Sequence, residues 1–111
     1  MSKLYILWVS DNMITAEKMV LMYAQNCMLN HWWDEVEIII WGASAMLAAE
    51  NFVIGEKMKM AIHTGVRFTA CKGCSDQLGV SEKLAELGVN VIYWGKNLTD
   101  VIQNGEKLIT I

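Results

Sequence analysis

Three observations predict an α/β fold with a mostly parallel sheet. Short apolar runs of strand type alternate with segments of helical spacing along the whole chain. The central run, Ile38-Ile39-Ile40, is continuous rather than alternating, as in a strand buried on both faces. Apolar residues make up 54% of the sequence, rich for a small domain. A sheet covered on both faces and an apolar subunit contact would each use that excess.

The elements follow in order. Leu4 to Val9 is a short strand, and Ser10-Asp11-Asn12 is a turn and N-cap cluster. Met13 to about Asn30 has apolar positions at helical spacing: Ile14, Met19, Val20, Met22, Tyr23 and Cys27. Val36 to Trp41 is the second strand, ended by Gly42, and Ser44 to Glu50 is a short helix. A further helix is expected from Gly55 or Glu56 to Thr64, stopped by Gly65. Val66 to Ala70 is the third strand. Cys71 to Leu78 makes a helical turn or two closed by Gly79, and Ser81 is expected to N-cap a helix through Leu87, closed by Gly88. Val89 to Trp94 is the fourth strand, Leu98 to Gln103 a helix, and Lys107 to Ile111 the last strand.

The 111 residues fit one domain, 1–111, with no linker, no proline and no internal repeat. A chain of this size hides roughly two-thirds of its unfolded surface, so a core forms without disulfide staples. The net charge is −3, Arg67 is the only arginine, and the five tryptophans are not interleaved with basic residues. Nucleic-acid binding, which needs a basic footprint, is not expected. No apolar stretch approaches the ~20 residues that span a bilayer, and no signal-peptide pattern precedes the first strand. The expectation is a cytoplasmic protein without a membrane partner. In that compartment a close cysteine pair is more often catalytic, redox-active or metal-binding than a structural disulfide.

In open parallel sheets ligands bind at the carboxyl ends of the strands. Four segments should gather there: Ser10-Asp11-Asn12, Gly42-Ala43-Ser44, Cys71 to Cys74, and Gly95-Lys96-Asn97. Cys71 follows a strand and precedes a helix, where unpaired backbone N–H groups favour a thiolate. Lys72 adds positive charge, Gly73 allows close backbone approach, and Cys74 lies three residues on as a resolving thiol. Cys71 and Cys74 are therefore the candidate catalytic pair. Asp11, Asn12, Ser44, Lys72, Gly73 and Lys96 are candidate substrate-binding residues around them.

Other features point to no second chemistry. A zinc site wants four ligands, and Cys71 and Cys74 have no second pair. Cys27 and His31 share a helix face at i, i+4, but read as a core cysteine and a solvated helix-end histidine, so no metal is expected. His63 suits a helix C-terminus. Asp34, Glu35 and Glu37 read as a solvated turn, and the eight methionines as core or interface filler. Trp32-Trp33 reads equally as a helix–sheet staple or an oligomer contact. Dinucleotide, P-loop and esterase motifs are absent from the sequence, and no cofactor is expected.

Several segments are familiar. Ile38-Ile39-Ile40-Trp41-Gly42-Ala43-Ser44-Ala45 resembles the second-strand motif of the DsrE/DsrF-like family of sulfur-relay and YchN-type proteins. Val66 through Val80, carrying Cys71-Lys72-Gly73-Cys74, resembles that family's cysteine segment, and Leu87-Gly88-Val89 and Leu98-Thr99 continue the likeness. The resemblance implies a three-layer α/β/α sandwich with a five-stranded, mostly parallel sheet. It implies homo-oligomers, commonly trimers or hexamers. It also implies a persulfide on Cys71, taken from a sulfur donor protein and passed to an acceptor. Relay subunits need one cysteine, and Cys74 is an addition to their pattern.

A sulfur carrier or sulfurtransferase-like protein is thus the leading expectation. A thiol–disulfide or peroxide-reducing protein using Cys71 and Cys74 is the first alternative. A non-enzymatic assembly module with both thiols in an interface is the second.

Overall fold

Alternation at period two sets the first strand. In β1 (Lys3–Trp8), Leu4, Ile6 and Trp8 are buried, and Lys3, Tyr5 and Leu7 on the opposite face are half-buried. β2 (Glu35–Ile40) is buried at every position from Val36 on, as the isoleucine run predicts. A computed structural model describes residues 2–111. Among the described residues five strands form one sheet in the order β4-β3-β2-β1-β5, with β3 at Arg67–Cys71, β4 at Asn90–Ile92 and β5 at Lys107–Thr110. Every pairing is parallel. No helix among the described residues is long and apolar enough to cross a membrane.

The helices sort onto the two faces by the handedness of parallel crossovers. From β1 to β4 the chain steps across the sheet in one direction, so right-handed connections keep its helices mainly on one side. That face packs on Val20, Ala24 and Cys27 of the first helical run, Ala45 and Ala48 of α3 (Ala43–Glu50), Ile54 and Met58 of α4 (Phe52–His63), and Leu84 of α6 (Ser81–Glu86). The return from β4 to β5 runs the other way, and its helix, α7 (Gly95–Gln103), covers the second face with Leu98 and Val101. Ile39, Cys71 and Trp94 are buried in this smaller cluster.

Several boundaries differ from expectation. The first helical run is α1 (Met13–Thr15), a π-helical stretch over Ala16–Leu21, and α2 (Met22–Leu29). Asn12 caps it, its side-chain oxygen accepting from the Thr15 N–H at 2.9 Å. α4 begins at Phe52 rather than at Gly55 or Glu56, because Asn51 caps it by accepting from the Ile54 N–H at 3.0 Å. Ser81 does not cap α6. Val80 holds that position, and the Ser81 hydroxyl instead donates to Asp76 and pairs with Ser75 at 2.7 Å. β4 ends at Ile92, two residues short, and Trp94 turns inward ahead of α7. Trp33 does act as a staple, partly buried against the core with its indole N–H directed at the Tyr23 hydroxyl, whereas Trp32 is exposed.

The acidic segment before Ile38 is also corrected. Glu37 lies inside β2 and is only 6% exposed. It accepts from the Lys3 ammonium at 3.1 Å and from the Thr69 hydroxyl at 3.1 Å, and Thr69 in turn accepts from the Trp94 indole N–H at 3.0 Å. Each buried polar group in this seam is partnered, which removes most of the penalty of burying it. Burial works against the Lys3 charge, but hydrogen bonds to Tyr5 and Glu37 outweigh it and raise its pKa above the ordinary lysine value.

Asp76 ties the corner between α5 (Lys72–Leu78) and α6. The Ser81 hydroxyl and then the Lys72 ammonium, at 2.9 Å, hold its carboxyl below the usual aspartate pKa. A depressed carboxyl adds stability above its unfolded pKa of about 4 and loses that stability as pH falls through the lower folded value. Asp76→Asn should therefore destabilise the protein at neutral pH. The gap from the parent in urea melts should close as pH falls below about 4. Two glycines make a second test. Gly42 sits at φ 75° and ψ −137°, a conformation L side chains avoid, although an added methyl would meet no atom within 4 Å. Gly42→Ala should cost about 1–3 kcal/mol in unfolding measurements. Gly73 is helical, with equal open space. Gly73→Ala should instead stabilise by about 0.4–1 kcal/mol.

Candidate functional site

The β2–β3 register sets where the thiols lie. Ile39 pairs with Thr69 and Ile40 with Ala70, so the next step along both strands puts Trp41 beside Cys71. Cys71 ends β3 and occupies the N-cap position of α5, with extended backbone at φ −69° and ψ 111°. It is 7% exposed. Cys74, the third helical residue, is half-buried. N-cap and third-position side chains meet on one side of a helix start, the geometry that capping boxes use.

Both cysteines line one open pocket of about 600 Å³, walled by Trp41, Gly42, Ala43, Met46, Gln77 and Leu78. Its wall carries no ionisable group other than the two thiols. The Gly42 amide donates to the Cys74 sulfur at 3.2 Å. That amide is aimed by the Gly-type backbone of the β2–α3 turn. All three cysteines are free thiols. Cys27 lies on the other face, fully buried, and burial pushes its pKa up against the opposing hydrogen bond from Tyr23.

Of the candidate site residues this pocket gathers only Cys71 and Cys74, together with Gly42 and Ala43 of the expected Gly42-Ala43-Ser44 segment. Ser44 is corrected to a structural group. It is fully buried, its hydroxyl donating to the Trp8 carbonyl and accepting from the Trp41 N–H, so it straps β1 to the end of β2. Asn12 is occupied as the α1 cap and Asp11 is exposed. Lys72 lies outside the wall, its ammonium held by Asp76 and 5.8 Å from the Tyr93 ring centroid. Gly73 faces open space. Lys96 is exposed and pairs with Asp100 at 3.1 Å.

Sequence reasoning placed Gly42 and Ala43 beside the cysteines but missed the rest of the wall. Trp41 was legible from strand alternation, since Glu37, Ile39 and Trp41 share a face. Gln77 and Leu78 lie three and four residues after Cys74, hence on its helix face. The Gly42 contact depends on a turn conformation that has no side-chain signature. Chemically, the pocket offers nucleophilic sulfur on an uncharged, largely apolar wall. Among the described residues no three His, Cys, Asp or Glu side chains group as metal ligands would.

No protein-family model matches the chain, and no curated protein matches it. Solved structures do. A conserved protein of unknown function from Bacteroides thetaiotaomicron, BT1422, superposes with a TM-score of 0.97 at 37% identity, over 99% of this chain and 95% of that one. The protein of unknown function MTH1491 from Methanobacterium thermoautotrophicum gives a TM-score of 0.82 at 16% identity, over the full length of both chains. The YchN protein of Escherichia coli gives 0.74 at 15% identity, also over the full length of both. These two likenesses establish a DsrE-like, YchN-type fold. With more than a third of its residues shared along nearly all its length, the chain belongs to the family of the Bacteroides protein.

Proposed function

We propose that this chain is a sulfur carrier that holds sulfane sulfur as a persulfide on Cys71 and passes it to a partner. The observation that carries the proposal is the pocket itself, in which the Cys71 and Cys74 side chains share one open, uncharged wall at the carboxyl edge of the sheet. The DsrE-like fold supports it, because the sequence resembles that family's cysteine segment at Cys71.

The chemistry is balanced and needs no cofactor. The Cys71 thiolate attacks the outer sulfur of a donor persulfide, a new S–S bond forms on Cys71, and the donor leaves as its thiolate. An acceptor thiolate then takes the same outer sulfur and returns Cys71 to its starting state. The wall suits a transfer of this kind, since it brings no charged side chain against the persulfide. Donor and acceptor proteins, and assembly into a trimer or hexamer, belong to the same proposal.

Intact-mass measurement after incubation with inorganic polysulfide tests it. An adduct of about 32 Da that dithiothreitol removes is the expected result on Cys74→Ser, which leaves Cys71 as the one thiol of the pocket. Cys71→Ser should abolish it. An adduct that survives Cys71→Ser, or no adduct on Cys74→Ser, sinks the proposal.

A further inference from the structure

A simple carrier needs one cysteine, and the pocket holds two. Cys74 shares the wall with Cys71, and its sulfur receives the Gly42 amide. An N–H group donates more strongly to a sulfur anion than to a neutral sulfur. The Cys71 sulfur, by contrast, makes no capping hydrogen bond that would hold it away from its neighbour. Residues three apart at a helix start are neighbours. Cys27 is excluded as a partner, being fully buried on the opposite face of the sheet.

We propose that Cys74 discharges the Cys71 persulfide as sulfide, closing a Cys71–Cys74 disulfide, so that the site reduces sulfane sulfur as well as carrying it. The inference rests on Cys71 as the persulfide carrier. In the step, the Cys74 thiolate attacks the inner sulfur, the one bonded to the Cys71 Cβ. The bond from that sulfur to the terminal sulfur breaks, and the electron pair leaves with the terminal sulfur as HS⁻. Sulfane sulfur is reduced to sulfide while the two cysteines are oxidised to a disulfide, so no outside oxidant enters. A dithiol reductant then returns the disulfide to two thiols by exchange.

Two properties of the site favour discharge when no acceptor is docked. The attacking sulfur is held within the same pocket, which makes the step unimolecular. The Gly42 amide, 3.2 Å from the Cys74 sulfur, fixes the place of the attacking atom in the pocket. A docked acceptor competes for the outer sulfur, so acceptor supply decides between transfer and release.

The experiment loads the parent, Cys74→Ser and Cys74→Ala with inorganic polysulfide, removes the excess by rapid desalting, and follows trapped sulfide and intact mass. The parent should release about one sulfide per chain and end about 2 Da lighter than its reduced form. Both variants should keep an adduct of about 32 Da and release sulfide at least about tenfold more slowly. Variants that release sulfide as fast as the parent overturn the inference, as does a parent that holds its adduct without release. In both of those outcomes the carrier reading stands. If neither variant takes up sulfur, the carrier reading and this inference fall together.

Discussion

The pairing register of β2 against β3 is the constraint on which the site depends. Ile39 opposite Thr69 and Ile40 opposite Ala70 bring both strands to their carboxyl ends together. Trp41 and Gly42 therefore emerge beside Cys71, and α5 starts where α3 starts. A slip of one residue would turn Ile38 and Ile40 out of the main core. The same register thus satisfies the hydrophobic core and aims the Gly42 amide at Cys74. Side chains confined to one edge loop could not achieve this, because the donor and the sulfur come from turns 32 residues apart.

Crossover handedness explains the unequal faces. The connections from β1 to β4 place most helical segments on one side, and the single return helix α7 is left to cover the other. The larger core is built around Ile6, Trp8, Ile38, Ile40 and Met58. The thinner face instead carries the seam from Lys3 through Glu37 and Thr69 to Trp94, ending one strand alternation below Cys71. A fully dry face would have made a buried carboxylate costly. Proximity to solvent, the Lys3 ammonium and the Thr69 hydroxyl make Glu37 tolerable there, and Tyr5 packs edge-on to Trp94 at 6.3 Å between ring centroids. The thiol pocket opens at the edge of this same face, where cover is least.

Periodicity made most of the fold legible. The isoleucine run of β2, the apolar spacing after Asn12 and the alternation of element types all lead to the five-stranded parallel sheet that forms. What stayed hidden was set by competition among polar side chains. Ser81 has the chemistry of a cap, yet Asp76 and Ser75 are near enough in space to claim its hydroxyl. Asn51 looked like part of a loop, and its capping bond to Ile54 moved the start of α4 back past Gly55. Glu37 looked solvated beside Asp34 and Glu35, and only its strand position showed that it points inward. Of the nominated site residues, the two cysteines come together in one pocket because strand-then-helix placement is a backbone property that apolar pattern reveals. The lysines and Ser44 were nominated by loop membership alone, which does not say where a side chain points.

The three thiols show how one chemistry is divided by position. Cys27 sits in the larger core with its pKa raised by burial, so it behaves as a small apolar residue. Cys71 is nearly as covered, packed in the smaller cluster with Ile39 and Trp94, but it also lines the open pocket. Cys74 is more open and carries the only directed hydrogen bond to sulfur in that pocket among the described residues. The two thiols of the pocket thus sit in distinct settings, one covered at a strand end and one more open and held by a directed hydrogen bond. In the proposed chemistry a single cysteine at the same strand end would have to receive sulfur and discharge it alone. Two let the fold place each thiol where the local backbone supplies a setting: the strand terminus for Cys71, and the amide of the Gly42 turn for the orientation of Cys74.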